Sequence, residues 1–393
     1  MSARPSRILY LSRSVPPGAS GSSVISGNLA KQFTPAEMIV MGAWFVGSPP
    51  VVWDSRWPKI QYATLHPADS WRGGRLIRWV QFPWLLLRVL WAIIVGRCDC
   101  VLATYPDEVY LLAAYFAVVL TNRPLYLYFH NTYLEHDRGN LFADWLQPRV
   151  FARARHVFVM SKGMQALYRR YYPDLTCTPL VHSFNEDLPA LNEFDPAAPM
   201  SNPVQIVLSG NVNESNVGAV EHMAQAVKAM PHVQMTVYSR TNPAFLARLG
   251  MTGPQFRLTT VSRDQLLHEL RQADIFFLPH GFSAKETQEE IQTIFPTRTI
   301  EYLISGRPIL AHLPEDCFLA DFLREHQCAL LVTDPDPAAL QAAVERLQSD
   351  APLREQLVRN ALQAAGQFHA PAVARHLREV LHPADVKLSP GLS

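Results

Sequence analysis

Two series of short apolar runs, each alternating with helix-like segments, constrain the fold of this 393-residue chain more than any other feature. In the first half, "RILYLS", "CVLATY" and "PLYLYFH" have the length and composition of buried strands. The second half repeats the pattern with "VQIVLS", "VQMTVYSR" and "DIFFLPH". Strands that alternate with helices form parallel sheets covered by helices on both faces. The sequence therefore predicts an α/β protein made of two similar halves.

The boundary between the halves is predicted from a change in composition. The segment from Asn185 to Asn202 is rich in proline, asparagine and acidic residues and has no apolar periodicity, so we interpret it as a linker. The expected domains are residues 1–190 and 203–365, followed by a last helix and tail over 366–393. Because ligands bind beyond the carboxyl ends of parallel strands, two such domains that face each other are expected to form a cleft.

Composition excludes some classes of function. The net charge is +1 and the basic residues are scattered, which does not fit the one-sided positive surface of a nucleic-acid binder. The five cysteines form neither a CxxC pair nor an even set, which favours a reducing compartment. The N-terminal residues lack the long apolar core of a secretion signal, so we expect a cytoplasmic protein.

The segment from Arg75 to Asp99 is apolar enough to raise the question of a membrane span. Three residues interrupt it inside the roughly 20 residues that a span needs: Gln81, Pro83 and Arg88. One interpretation is a helix packed on a sheet. The other is a helix at a membrane surface, since tryptophans mixed with arginines anchor proteins among lipid headgroups. The tryptophans are Trp79, Trp84 and Trp91. The two interpretations are compatible if opposite sides of the helix are used.

Two stretches have the composition of phosphate-binding elements. The first apolar run is followed by a loop with Gly18, Gly21 and Ser22 at the start of a predicted helix, a layout that favours anions. It lacks the GxGxxG and GK[ST] patterns, so it predicts no particular cofactor. In "FPTRTIEYLISGRPIL", Arg298 and Glu301 are three residues apart and share one helix face. An exposed ion pair worth a few tenths of a kcal/mol is the alternative explanation.

The order "ADIFFLPHGF", a polar loop from Gly281 to Thr293, "FPTRTIEYLISGRPIL" and "CALLVTDPDPAALQAAVERL" resembles the donor half of GT-B glycosyltransferases, in particular family 4. The resemblance implies two Rossmann-like domains facing a cleft, with acceptor binding in the N-terminal domain and a last helix that returns to it. It also implies a retaining hexosyltransferase that uses a nucleotide-diphosphate sugar as donor substrate, with no cofactor and no metal. The tryptophan and arginine segment suggests a lipid-linked or polysaccharide acceptor at the inner face of a membrane.

The resemblance also assigns roles to residues. His130, at the end of a strand, and Glu301 are the expected catalytic residues. The expected donor-binding residues are Gly210, Asn211, Asn213, His280, Gly281, Phe282, Thr297, Arg298 and Glu301. Gly18, Gly21 and Ser22 form the expected acceptor or phosphate loop. Asp334 and Asp336 imitate a metal motif of another fold, but their position before Pro337 predicts a helix cap.

The sequence departs from the family 4 pattern in two ways. The family places two acids eight positions apart, and the partner position of Glu301 holds Thr293. Three nearby acids are possible substitutes: Glu286, Glu289 and Glu290. The family's usual lysine after the first glycine of the second domain is also absent from "GNVNESN". Both departures leave open a GT-B scaffold or binding subunit without transferase activity, and a nucleotide-sugar epimerase is a third, weaker alternative.

Overall fold

The computed structural model describes residues 6–18, 20–48, 53–66, 74–134, 139–261, 263–282 and 287–381. The chain forms two compact units. Unit 1 contains Met1–Asn185 together with Phe368–Ser393, and unit 2 contains Glu186–Gln367. The sequence predicts domains over residues 1–190 and 203–365 and a last segment from residue 366.

Each unit has a parallel sheet. In unit 1 the described strands are β1 (Ile8–Leu11), β2 (Met38–Phe45), β3 (Ile60–His66), β4 (Cys100–Tyr105), β5 (Leu125–Phe129), β6 (Ala154–Val159) and β7 (Cys177–Pro179). Their order is β3-β2-β1-β4-β5-β6-β7. In unit 2 they are β8 (Val204–Ser209), β9 (Val233–Tyr238), β10 (Phe256–Thr259), β11 (Ile275–Pro279), β12 (Ile309–His312) and β13 (Leu330–Val332), in the order β10-β9-β8-β11-β12-β13. The strand order therefore reverses beside β1 and beside β8.

Helices connect the strands. In unit 1 they are α1 (Gly21–Ala30), α2 (Gly74–Val80), α3 (Phe82–Ile94), α4 (Glu108–Thr121), α5 (Leu141–Arg153) and α6 (Lys162–Tyr171). In unit 2 they are α7 (Val217–Ala229), α8 (Pro243–Arg248), α9 (Arg263–Leu270), α10 (Gln288–Thr293), α11 (Arg298–Leu303), α12 (Phe318–Glu325), α13 (Pro337–Ser349) and α14 (Ala351–Ala365). The last helix, α15 (Ala370–Leu381), belongs to unit 1 and packs on α1. The central strands β1, β4, β5 and β11 are buried along their whole length, as expected for sheets covered on both faces.

The segment from Arg75 to Asp99 forms two helices, α2 and α3, and α3 packs on α4 and β3. Gln81, between the two helices, bonds through its side-chain amide to both the backbone N–H and the carbonyl of Leu65, at 2.8 Å each. The buried side of α3 includes Leu85 and Val89, while its other side exposes Trp84 and Trp91 to 57% and 64%. In the part of the chain that the structure describes, no helix has both the length and the apolarity needed to cross a bilayer.

Unit 2 differs from the sequence prediction in one functional region. The polar loop expected from Gly281 to Thr293 contains α10, and residues 283–286, including Glu286, lie outside the described residues. The predicted cap before α13 is confirmed, because Asp336 Oδ1 accepts a hydrogen bond from Ala338 N at 2.9 Å and Pro337 is the first helical residue. Arg354, buried in α14, donates to the carbonyls of residues 196–198, 347 and 348. This residue ties the start of unit 2 to its last helices.

Candidate active site

The turn after β8 presents backbone groups at the carboxyl end of the sheet of unit 2. Gly210 is exposed and has a φ of +86°, a conformation that favours glycine. The following turn is held by its own side chains, since Asn216 Oδ1 accepts from Asn213 N at 3.1 Å. Asn213 Oδ1 in turn accepts from the backbone N–H and the hydroxyl of Ser215. The side-chain oxygen of Asn213 is thus used inside the turn, and Gly210, Asn211 and Asn213 are all exposed.

Arg298, the first residue of α11, lies against this turn. Its Nη2 donates to the carbonyl oxygen of Asn211 at 2.6 Å. A Cβ on Gly210 would lie 3.3 Å from the same nitrogen, so a side chain there would press on the guanidinium. The other terminal nitrogen, Nη1, is buried and has no hydrogen-bond partner among the described residues. Burial lowers the pKa of Arg298, and the nearby Tyr302 and Glu301 act in the opposite direction.

Tyr302, one turn after Arg298, fixes α11 to the sheet. Its buried hydroxyl accepts from the backbone N–H of Ser209 at 2.8 Å, and its ring stacks on Phe276 with centroids 4.6 Å apart. Ser209 and Phe276 belong to the neighbouring strands β8 and β11. Sequence reasoning missed Tyr302, and its position four residues after Arg298 was the available signal. The contact sets the position of Arg298 relative to the β8 turn.

Thr297 and Glu301 flank Arg298 on the same short helix. Thr297 precedes the helix with helical backbone angles and makes no side-chain capping bond. Glu301 is half-buried, and its charge acts on Arg298. Because α11 has only six residues, its dipole adds little to an anion site, and the guanidinium supplies most of the positive charge.

His280, Gly281 and Phe282 follow β11. The His280 ring is 1% exposed, with Nδ1 at 3.1 Å from the Ser215 carbonyl and Nε2 at 3.0 Å from the Ile291 carbonyl. Burial lowers the pKa of His280, so the ring is neutral at pH 7 and only one of its nitrogens can donate to a carbonyl. Contact of this buried ring with the donor sugar stays a prediction. Gly281 and Phe282 both have positive φ, +70° and +59°. Gly281 N donates to the Ser215 carbonyl at 2.7 Å, and contact of this backbone with a sugar stays a prediction.

Thr293 is the position where the resemblance to family 4 leads us to expect an acid. Its hydroxyl donates to the Glu289 carbonyl at 2.9 Å, inside α10, and the residue is buried. The Thr293 hydroxyl therefore stabilises α10. Glu289 and Glu290 lie in the first turn of α10, and the charge of Glu290 acts on His280. Glu290 is thus the substitute acid with a charge effect at the end of β11.

The chain resembles several solved structures over nearly its whole length. Sucrose-phosphate synthase from Thermosynechococcus elongatus is 15% identical, with a TM-score of 0.73 over 98% of this chain and all of the relative. HepE from Anabaena in complex with UDP-glucose is 15% identical, with a TM-score of 0.68 over 96% of this chain and 99% of the relative. Trehalose 6-phosphate synthase from Burkholderia multivorans is 13% identical, with a TM-score of 0.62 over 99% and 100%. The chain has the GT-B fold. The sequence matches no protein-family model and no curated protein sequence.

In the N-terminal unit of this GT-B protein, His130 follows β5 and is 1% exposed. Its ring lies 6.1 Å from that of His182, measured between centroids, and all four ring nitrogens are buried without a hydrogen-bond partner among the described residues. Burial holds the pKa of His130 well below its ordinary value, with a smaller effect of His182, and lowers the pKa of His182 to about 3. Both imidazoles are therefore neutral at pH 7. Sequence reasoning did not single out His182.

The glycine loop of the GT-B protein connects β1 to α1. Gly18 approaches Ser23 so closely that a Cβ would overlap its hydroxyl, and Gly18 N donates to Val15 O at 3.0 Å. Gly21 and Ser22 are the first two residues of α1, and Ser20 caps the helix by accepting from Ser23 N. The expected arrangement of strand, glycine loop and helix is present. Its N-terminal turn has the free backbone donors of any helix start.

Proposed function

We propose that this GT-B protein is a metal-independent retaining glycosyltransferase of the hexosyltransferase type, which moves a sugar from a nucleotide-diphosphate sugar to a lipid-linked or polysaccharide acceptor. One observation carries the proposal: Arg298 Nη1 is buried beside the exposed Gly210–Asn211 turn and has no partner among the described residues. A buried cationic nitrogen without an acceptor is costly unless an anion satisfies it. The UDP and UDP-glucose complexes of HepE support a nucleotide diphosphate as that anion.

The chemistry of transfer fits these residues. The leaving diphosphate gains negative charge as the glycosidic bond breaks, and a guanidinium that is already held in place stabilises that charge. Arg298 is held by Asn211 O, so it loses little freedom when it binds two phosphate oxygens. In this proposal Glu301 accepts hydrogen bonds from the ribose hydroxyls. The backbone of Gly281 and Phe282 contacts the sugar, and His130 remains the candidate for sugar contact in unit 1.

The acceptor side is proposed from the surface of α3. Trp84 and Trp91 are exposed on the same helix as Leu87, which is 60% exposed. Single exposed apolar residues are common, whereas adjoining ones mark contact surfaces. Trp79 lies on the preceding helix and is 36% exposed. Tryptophans at such a surface favour the lipid headgroup region. We propose that the cytoplasmic protein binds the inner membrane face peripherally through these residues.

The experiment is a calorimetric titration of UDP into wild-type protein, Arg298→Gln and Arg307→Gln. Arg307 is the matched control, because it lies in the same segment and bonds only to the Arg271 carbonyl among the described residues. Hydrogen bonds to charged groups contribute about 1.5–3 kcal/mol, so Arg298→Gln should weaken UDP binding by roughly ten- to a hundredfold. Arg307→Gln should bind UDP like the wild type. Equal effects of the two substitutions would refute the assignment of Arg298.

A scaffold without transferase activity is the second candidate, and Thr293 favours it. Its hydroxyl is used within α10, so the usual acid of family 4 is missing at this position. The two functions differ in turnover. A transferase incubated with UDP-sugars and no acceptor should release UDP slowly, and Glu290→Gln should reduce that rate more than Glu289→Gln. A scaffold should release no UDP, whether or not it binds the nucleotide sugar.

A further inference from the structure

A second charged cluster lies in unit 1, outside the donor site. Asp107 Oδ2 contacts two guanidinium groups, Arg78 Nη1 at 2.8 Å and Arg13 Nη1 at 3.6 Å. Asp107 Oδ1 accepts from the backbone N–H groups of Val109 and Tyr110 at the start of α4. Both oxygens of this buried carboxylate are thus fully used. The aspartate fixes the positions of the two arginines while it caps the helix.

The cluster carries more positive than negative charge. The described residues that line its pocket include the two arginines and one acid, Asp107. His66, also in the lining, accepts from Arg13 Nη2 at 2.6 Å, because an arginine can only donate. The arginine side chains remain 21% and 22% exposed, whereas the aspartate is 1% exposed. The positive groups, and not the negative one, are therefore accessible from solvent.

The position of the cluster is that of a ligand site. Arg13 follows β1 and Asp107 follows β4, and these neighbouring strands are the pair between which the strand order reverses. In open parallel sheets, ligands bind beyond the carboxyl ends of the strands at this reversal. The pocket itself has a volume of about 10 Å³, room for a single water. An anion must therefore lie at its mouth, against the exposed edges of the guanidinium groups.

We propose that Arg78, with Arg13 beside it, binds a phosphate group of the acceptor substrate. This inference rests on the proposed transferase function and specifies the chemistry of its acceptor. Arg78 Nη1 is held by Asp107 at 2.8 Å, so the fork is oriented before the ligand arrives. Planar guanidinium groups bind two oxygens of one phosphate at once. A neutral acceptor would leave the excess positive charge of the cluster unused.

The phosphate belongs either to a lipid or to a soluble sugar phosphate, and the surroundings favour a lipid. Arg78 lies in α2, between Leu76 and Val80, which are each 70% exposed. Trp84, at the start of α3, continues this apolar surface. A helix that presents apolar residues around an arginine is suited to place that arginine at the level of lipid phosphates. The site would then receive the headgroup while the apolar surface contacts the acyl region.

The first test measures binding of inorganic pyrophosphate by calorimetry to protein saturated with UDP, which blocks the donor site. We expect Arg78→Gln to weaken pyrophosphate binding about tenfold and Arg78→Lys to weaken it less, because lysine keeps the charge but not the fork. Asp107→Asn should weaken binding, since an asparagine that caps α4 through its oxygen turns its amide N–H2 toward the guanidinium groups and no longer holds them in place. Arg88→Gln, in the neighbouring helix α3, is the control and should bind like the wild type.

The second test identifies the source of the phosphate by flotation with vesicles. Vesicles of phosphatidylcholine with phosphatidic acid should retain more wild-type protein than phosphatidylcholine alone, and Arg78→Gln should lose that difference. If vesicle binding is unchanged while glucose 6-phosphate stabilises the wild type but not Arg78→Gln, the ligand is a soluble sugar phosphate. Pyrophosphate binding that is equal in the wild type, Arg78→Gln and Asp107→Asn overturns the proposal and leaves a structural ion-pair cluster.

The donor site at Arg298 and the acceptor phosphate site at Arg78 can be refuted independently of each other. Arg298→Gln should lose UDP affinity. Without UDP, this variant should still bind pyrophosphate at the unit 1 cluster, and adding Arg78→Gln to it should weaken that binding. If the wild type binds no UDP, the donor site is refuted and the effect of Arg78→Gln on pyrophosphate can still be measured. If UDP binds and depends on Arg298 while Arg78→Gln has no effect, the donor site stands and the acceptor phosphate site is refuted.

Discussion

Protonation of His182 should destabilise this protein at mildly acidic pH by an amount that the structure allows us to work out. His182 is buried, and burial lowers its pKa to about 3 in the folded state. In the unfolded chain the pKa returns to about 6.5. The unfolded state therefore binds the proton first, and stability is fully present above pH 6.5 and is lost as the pH falls from 6.5 towards 3.

The size of the effect follows from the two pKa values. At pH 5 protonation of His182 stabilises the unfolded state by about 2 kcal/mol and the folded state by almost nothing. At pH 7 it stabilises the unfolded state by about 0.2 kcal/mol. Lowering the pH from 7 to 5 should thus cost about 1.8 kcal/mol through His182 alone. In His182→Leu this part of the pH dependence disappears. Leucine suits the site because the ring nitrogens make no hydrogen bonds among the described residues.

The assay is urea unfolding at pH 7 and pH 5 of the wild type, His182→Leu and His232→Leu, followed by a probe of unit 1 because the two units can unfold separately. His232 is exposed and serves as the control. The loss of stability between the two pH values should be about 1.8 kcal/mol smaller in His182→Leu than in the wild type. An identical pH dependence of stability in the wild type and His182→Leu would show that His182 is hydrated or hydrogen-bonded in solution. The reasoning from burial would then be wrong.

Two further predictions concern stability of unit 2. Gly306→Ala should destabilise unit 2 by about 2 kcal/mol more than Gly253→Ala. Both glycines have positive φ, but only at Gly306 would the new Cβ overlap a side chain, the Phe194 ring. Equal unfolding midpoints in urea would contradict this prediction. Arg354→Met should cost about 3 kcal/mol because it leaves buried carbonyls without donors, whereas Arg359→Met, which breaks an exposed pair with Glu355, should cost under about 0.5 kcal/mol. Thermal unfolding of the three proteins measures the difference, and similar losses would count against a structural role of Arg354.

Sequence patterns predicted the central strands of both sheets because these strands are apolar along their whole length. β1, β4 and β11 are buried on both faces, so their composition alone distinguishes them from loops. The outer strands β3 and β10 were not predicted. Their residues are mostly half-buried, and a short, partly polar strand at the edge of a sheet has the composition of a loop.

The candidate donor site was predicted in part. Arg298 was singled out from its place before a glutamate and a Gly-Arg-Pro exit, and the structure brings it to the Gly210–Asn211 turn, which comes from a strand about 90 residues earlier. His280 was predicted to face a sugar, and the structure places both of its ring nitrogens near backbone carbonyls. A histidine at the end of a strand has the same sequence context in either case. Its partners depend on which loops pack over it.

The sequence by itself determined the α/β class, the two halves and the residue types available at the strand ends, because hydrophobic periodicity is a local property of the chain. Tertiary structure alone decided which of those residues meet. Arg13 and Asp107 are 94 positions apart and meet because β1 and β4 are neighbours in the sheet, and Arg78 reaches the same carboxylate from α2. Charge clusters of this kind depend on strand order, and strand order is set by the packing of the whole sheet and its helices, which no local pattern contains.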